Sequence, residues 1–201
     1  GIKYKLWSEK EVLKLLNKPK NKEYKKLYSD FDNHPLGQPI QKIDFARYLI
    51  LWNYGGIYID LDICIIDDKK KVKKLKDLFD KEYFFVRWDT SHLPYNALLG
   101  TQKETKLYKD ILEHCRDSFY EKAKQPIYKK WRGRFVFQTT GHYMIQRVAK
   151  KHNIKKADLL NIMKIQNPEK RSNNIICEGK KPKCPNALFE DANVSIWYSG
   201  K

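Results

Sequence analysis

The 201-residue chain carries a formal charge of +17, and its 41% apolar and 13% aromatic content excludes a disordered polymer. That length buries a core without disulfide support and fits one domain, 1–201. No run of eighteen apolar residues occurs, so neither a transmembrane span nor a signal peptide is expected within it, and four cysteines without a CxxC pair speak against a zinc site.

A short strand is expected at 3–7, ending at Ser8, an N-cap whose Glu11 three residues on completes a capping box for a helix to about Leu16. A lysine-rich amphipathic helix is expected over 21–31, then the loop 33–39 and the main helix over 43–54. Ile43, Ala46, Ile50 and Tyr54 recur along one face of that helix, and Gly55-Gly56 supplies the left-handed residue that ends it. A strand follows at once, with Ile57 and Ile59 alternating against Tyr58 and Asp60. Further on the pattern predicts a helix near 71–79, strands at 82–88 and 95–100, a long helix over 104–120, a helix over 141–151, and a short strand near 162–166 before an irregular tail. Alternating helix and strand implies an α/β domain with helices on a mostly parallel central sheet.

The chemistry concentrates at residues 44–62. Tyr58, Asp60 and Asp62 share one strand face, and carboxylates two apart lie about 7 Å from each other at the backbone. Such a pair can hold one hard divalent cation, Mn2+ or Mg2+, and leaves coordination positions that phosphate oxygens fill. Asp44 and Arg47, three apart, are neighbours on a helix face and suit the hydroxyl groups of a sugar.

The string D-x-x-R-x-x-x-L-x-x-x-G-G-x-Y-x-D-x-D, Asp44 through Asp62, resembles the DXD glycosyltransferases of family 32, whose members include yeast initiating mannosyltransferases and capsular and viral enzymes. The clostridial glucosylating toxins carry a similar core. Tyr95-Asn96-Ala97-Leu98-Leu99 resembles the family's strand with a sugar-contacting Asn, Thr139-Thr140-Gly141 its T-G-P element, and Ser195-Ile196-Trp197 its terminal S-x-W. His142 stands where the family has Pro, and the ligand before Ser-x-Trp falls to Asp191 or Asn193. Relatives usually begin with a strand I-P-K-x-I-H-x-x-W that helps hold the nucleotide base. Here Lys3 to Trp7 resembles the second strand, so either the sequence starts after the first or the base pocket forms differently.

The resemblance implies a GT-A (Rossmann-like) fold and a retaining, metal-dependent transfer of a hexose from a UDP- or GDP-sugar to a glycan or protein hydroxyl. In that scheme Asp62 coordinates the cation, Asp60 holds its water or the donor ribose, Asn193 and Ser195 complete the metal site, and Trp197 meets the diphosphate. Asp44, Arg47, Tyr58 and Asn96 bind substrate, with Asp44 also a candidate for the chemistry. Many relatives are anchored in the Golgi by an N-terminal segment, so a preceding membrane anchor and a lumenal location are compatible with the resemblance, as is a cytoplasmic one. Lysine, asparagine and isoleucine richness suits a giant virus or an AT-rich microbe.

Two other readings compete. A hydrophobic strand with D-x-D is also the nucleophile motif of haloacid-dehalogenase-like phosphatases, but Cys64 stands where that motif wants Thr or Val. The charge alone suggests a nucleic-acid-binding module, although no specific nucleic-acid motif stands out. A field of this sign attracts nucleotides, anionic acceptors, membranes and nucleic acid without choosing between them. Lysine clusters at 69–76, 121–130 and 180–183 read as solvated surface. Cys64 is expected to be a small buried hydrophobe, Cys177 and Cys184 are spaced to close a loop, and the five histidines are expected at the surface or in turns.

Overall fold

The structure, a computed structural model, describes residues 3–61, 63–65, 74–88, 93–165 and 189–191. Helix α1 (Glu9–Leu16) begins as expected, with the Glu11 carboxylate accepting the Ser8 N–H at 2.9 Å and its hydroxyl at 3.0 Å. Residues 3–7, expected as a strand, have no regular structure: among the described residues no strand pairs with them, and Tyr4 and Leu6 face solvent. The expected 21–31 helix is a 3-10 turn (Pro19–Tyr24) running into α2 (Lys25–Asn33).

Helix α3 (Pro39–Tyr54) starts four residues earlier than the apolar period predicts, since Pro39 fits the first helical turn and the Gln41 side chain caps the Gln38 N–H at 2.9 Å. It is buried on most sides, and its Phe45, Tyr48 and Leu49 reach the centre of the helical core. The stripe Ile43, Ala46, Ile50 and Tyr54 is instead its more exposed side, with Ile43 and Tyr54 open to solvent. Gly55 (φ +68) and Gly56 (φ +96) reverse the chain, and a Cβ at Gly55 would lie 2.8 Å from the Lys103 nitrogen.

Strands β1 (Gly56–Ile59), β3 (Tyr83–Trp88) and β4 (Leu93–Thr101) form a sheet of order β1-β4-β3, antiparallel throughout. A second sheet sets β2 (Ile63–Ile65) antiparallel and β5 (Met163–Ile165) parallel to a central β6 (Phe189–Asp191). The expectation of a mostly parallel sheet is therefore corrected for the described strands. Between Trp88 and Leu93 lie only four residues, enough to join antiparallel neighbours and too few for the crossover that a parallel pair needs.

Helix α4 (Lys106–Ala123), the short α5 (Ile127–Lys130), α6 (Arg132–Thr139) and α7 (His142–Lys151) complete the helical side. Phe85 and Leu99 turn into this helical core, while Phe84, Val86 and Leu98 pack with Ile63, Leu75 and Leu78 in a second cluster. The first sheet is thus covered on both faces, and the chain is mixed α/β. Of the predicted 71–79 helix, residues 74–77 are described and helical. Cys115 is buried in the main core. Cys177, Cys184 and the side chain of Cys64 lie outside the described residues, as do the lysines at 69–73 and 180–183.

Candidate active site

The Gly55-Gly56 reversal folds β1 back along α3, and β4 pairs with β1 so that Tyr58 stands opposite Leu99. The Asp60 N–H donates to the Ala97 carbonyl at 2.9 Å, which extends that ladder one residue beyond the strand. Asp44, Arg47, Tyr58, Asp60 and Asn96, drawn from one helix, one strand end and one neighbouring strand, consequently meet in one place.

Arg47 is the hub. Its Nη2 lies 3.0 Å from Asp44 Oδ1, its Nη1 lies 3.3 Å from Asp60 Oδ2, and the same nitrogen donates to the Asn96 carbonyl at 2.5 Å. Its guanidinium sits 4.9 Å from the centre of the Tyr58 ring, a cation–π distance. The Tyr58 hydroxyl donates to Asp60 Oδ1 at 2.7 Å, so the alternation that puts Tyr58 and Asp60 on one face holds. Asp44 accepts the Asn96 amide on Oδ1 and the Thr140 hydroxyl on Oδ2, each at 2.9 Å.

Both partners of the central ion pair are buried, with side chains 6% and 3% exposed for Asp44 and Arg47. Burial lifts the Asp44 carboxyl to about 6, against the pull of Arg47 and the hydrogen bond from Thr140. Burial works against the Arg47 charge as well, but Tyr58, Asp60 and Asp44 outweigh it and raise its pKa. Burial likewise raises the Tyr58 hydroxyl, which stays a donor to Asp60 at neutral pH. A buried ion pair of this kind is weak as a source of stability, because desolvation cancels much of the attraction. What it does provide is a fixed arrangement of donors and acceptors. The Arg47 Nε–H is itself buried with no acceptor among the described residues.

Next to this cluster opens a cleft of about 340 Å³, bounded by Trp7, Ile43, Ala46, Ile50, Arg47 and Tyr58. Ile43, Ala46 and Ile50 of the α3 stripe are its apolar wall. Trp7 leans on Tyr54 with ring centres 5.2 Å apart, which holds the chain start against α3 without any strand.

Thr140 and its support were not singled out as site residues by the sequence, although the Thr139-Thr140-Gly141 string marked their place. The Tyr48 hydroxyl donates to the Thr140 carbonyl at 2.6 Å, and the Gln41 amide to the Thr139 hydroxyl at 2.7 Å, so α3 fixes the end of α6. His142, expected at the surface or in a turn, is buried in the first turn of α7, and that burial depresses its pKa to about 4. Asp62, Asn193, Ser195 and Trp197 lie outside the described residues. Among the described residues no group of three or more His, Cys, Asp or Glu is placed to hold a metal ion. Asp60, with its side chain 27% exposed, is the carboxylate of the cluster open to such a ligand, and both its oxygens already accept a hydrogen bond or ion pair. That occupancy suits a carboxylate holding a metal-bound water or a hydroxyl better than one coordinating bare.

Comparison with known proteins finds relatives for part of the chain. Residues 2–85 match the family described as glycosyltransferase sugar-binding region containing DXD motif. The chain is 38% identical over 113 residues to inositol phosphoceramide mannosyltransferase 1 of Schizosaccharomyces pombe, covering 55% of this chain and 31% of that protein. It is 31% identical over 100 residues to the uncharacterized glycosyltransferase L373 of Acanthamoeba polyphaga mimivirus, covering 50% of this chain and 36% of the other. Mannosyl phosphorylinositol ceramide synthase SUR1 of Saccharomyces cerevisiae is 38% identical over 60 residues, 30% of this chain and 14% of its own length. The alignments thus span about a third or less of these relatives, 31%, 36% and 14%. No solved structure matches the chain.

Proposed function

We propose that this chain, whose residues 2–85 match the glycosyltransferase sugar-binding region containing the DXD motif, transfers a hexose from a nucleoside diphosphate sugar to an acceptor hydroxyl on a GT-A scaffold. The observation that carries the proposal is Arg47 joining Asp44, Asp60 and the Asn96 carbonyl at the mouth of an aromatic-walled cleft. Trp7 with Ile43, Ala46 and Ile50 of α3 offers an apolar wall to a nucleoside. Asp44, buried and held by Asn96 and Thr140, fixes Arg47 and Asn96 in place for the sugar and would itself meet a sugar hydroxyl where the cluster opens on donor binding. Mannose is the favoured hexose, given that the similar fungal proteins are named a mannosyltransferase and a mannosyl phosphorylinositol ceramide synthase.

Asp60 and Asp62 are the residues that would hold Mn2+ or Mg2+, with Asn193 and Ser195 as further ligands and Trp197 against the diphosphate. A bound cation of this kind supplies charge stabilisation for the departing diphosphate. In the transfer the bond between the sugar C1 and the phosphate oxygen breaks with its electron pair leaving on the diphosphate. The acceptor oxygen forms the new bond to C1 on the same face, and its proton passes to the departing phosphate oxygen, so the anomeric configuration is retained. Arg47 keeps Asp44 ionised and oriented at neutral pH, and the apolar cleft wall excludes water that would compete with the acceptor. The phosphatase alternative fits less well, because Asp60, its nucleophile, is pinned on both oxygens by Tyr58 and Arg47.

A thermal-shift series of UDP- and GDP-hexoses, each with and without Mn2+, tests this. Stabilisation by one class of donor only when metal is present is expected, with loss of transfer in Asp62→Asn. Metal-independent binding, or normal transfer by that variant, would overturn it.

A further inference from the structure

From Lys122 to Ala157 the chain contains eleven lysines and arginines and no aspartate or glutamate. This stretch folds as the end of α4 followed by α5, α6 and α7. Where the sequence alone suggests a merely solvated lysine surface at 121–130, the fold adds exposed apolar side chains to it. Trp131 is 58% and Ile127 48% exposed, and Tyr143 from α7 lines one basin with Trp131. Lys129, Lys130, Arg132 and Arg134 are all exposed around these rings. Among the described residues no carboxylate lies within ion-pair distance of those four cations; the stretch's lysine–carboxylate pair is Lys151 with Asp110, at 3.8 Å.

The corner is not loose. Tyr128 and Phe135 point inward and pack 5.5 Å apart, anchoring α5 and α6 to the core, so Ile127 and Trp131 are presented outward by a rigid support. Between Trp131 and Tyr143 lies an open basin of about 500 Å³ floored by Phe137. A water-facing surface gains nothing from an isoleucine and a tryptophan at its apex, whereas the headgroup boundary of a bilayer takes amphipathic rings together with lysine and arginine.

We propose that the corner formed by α5 and the start of α6 docks the protein on an anionic lipid bilayer, with Ile127 and Trp131 entering the headgroup boundary and Lys129, Lys130, Arg132 and Arg134 facing acidic headgroups. Charge complementarity selects the lipid: cations without a carboxylate partner among the described residues are drawn to the negative surface of an anionic leaflet. Nucleic acid is the lesser fit, because the exposed aliphatic Ile127 has no ring face to stack on a base. Helix α6 runs for eight residues, roughly 12 Å, from this corner to Thr139. Its next residue, Thr140, holds Asp44, so if the transfer proposed above is correct a docked molecule carries its site one short helix away from the lipid surface.

Co-sedimentation with vesicles of phosphatidylcholine, with and without phosphatidylserine, tests the docking without requiring transfer. Its failure would leave the transferase proposal standing. Binding is expected only with phosphatidylserine, and to fall about tenfold or more in Lys129→Glu/Lys130→Glu and in Ile127→Ser/Trp131→Ser, each shown folded by circular dichroism. The control Lys10→Glu/Lys14→Glu, at two exposed lysines of α1, makes the same change of charge elsewhere and is expected to bind far better than the corner variants. Absence of vesicle binding, equal losses in control and corner variants, or corner-dependent binding to RNA or DNA in place of vesicles would each overturn the proposal.

Discussion

Thr140 donates its hydroxyl to Asp44 Oδ2 at 2.9 Å across 96 positions of sequence, and this bond ties the end of α6 to the buried acid of α3. It is one of the interactions that keep the Asp44 pKa from rising further under burial. Thr140→Val removes the donor at nearly constant volume. Hydrogen bonds to charged groups are worth about 1.5–3 kcal/mol. A fall of about tenfold or more in kcat/KM is expected, with the acid limb of the pH profile displaced upward, and Thr140→Ser restoring both.

The pH dependence follows from the same carboxyl. With its pKa at about 6, Asp44 is ionised at pH 7 and becomes protonated as the pH falls below that value. Protonation ends its attraction for Arg47 and turns an acceptor into a donor, so donor affinity should weaken on the acid side with a midpoint near 6. Stability responds in the opposite sense. The folded pKa lies above the ordinary carboxylate value, so folding takes up a proton between about 4 and 6, and the Asp44 contribution favours the native state most at the acid end of that window. Affinity and thermal stability measured across pH 4–7 should therefore separate, and Asp44→Asn should abolish the inflection in affinity.

How much of this was visible beforehand depended on how local the signal was. The α3 helix, its glycine stop and the strand carrying Tyr58 and Asp60 are contiguous, so periodicity and turn chemistry located them and put two donors and two acids within one turn. Thr140 was flagged by its tripeptide but not by any role, because its bond to Asp44 exists only after α6 returns to α3. The parallel sheet was expected from alternating elements, yet the short connection before β4 already required an antiparallel pair. The stripe on α3 was found by its period, but periodicity cannot tell a core face from the wall of a cleft. Trp7 looked like strand sequence because aromatic and apolar residues favour strands, and what it lacks is a partner strand among the described residues.

Tyr58→Phe tests what the phenol does for Asp60. The ring that covers the Arg47 guanidinium remains, while the 2.7 Å bond to Asp60 Oδ1 is lost. Asp60 then keeps Arg47 alone and swings more freely into the open side of the site. The expected outcome is little change in melting temperature and a several-fold higher Mn2+ requirement in transfer. Tyr58→Ala, which also uncovers Arg47, should lower stability as well.

The Asp44–Arg47 pair distinguishes an arrangement kept for stability from one kept for geometry. Removing either partner leaves the other charge buried, and losses of about 3–5 kcal/mol are typical for such breakage. Asp44→Ala would leave Arg47 with Asp60 and the Asn96 carbonyl. Arg47→Ala would leave Asp44 with two neutral donors, Asn96 and Thr140, and so without any cation in contact among the described residues. Arg47→Ala is therefore the more damaging single change while Asp44 stays ionised, and less so as the pH falls, where Asp44, freed of the pull of Arg47, takes up a proton at a higher pH than in the native protein. The double variant carries no buried pair to break and should be destabilised by clearly less than the sum of the singles, a coupling of roughly 1–3 kcal/mol. Chemical denaturation of the four proteins at pH 7 measures that coupling. Activity should behave otherwise, with the double variant as inactive as either single one, since no stability it regains restores the carboxylate and guanidinium that a sugar donor would need.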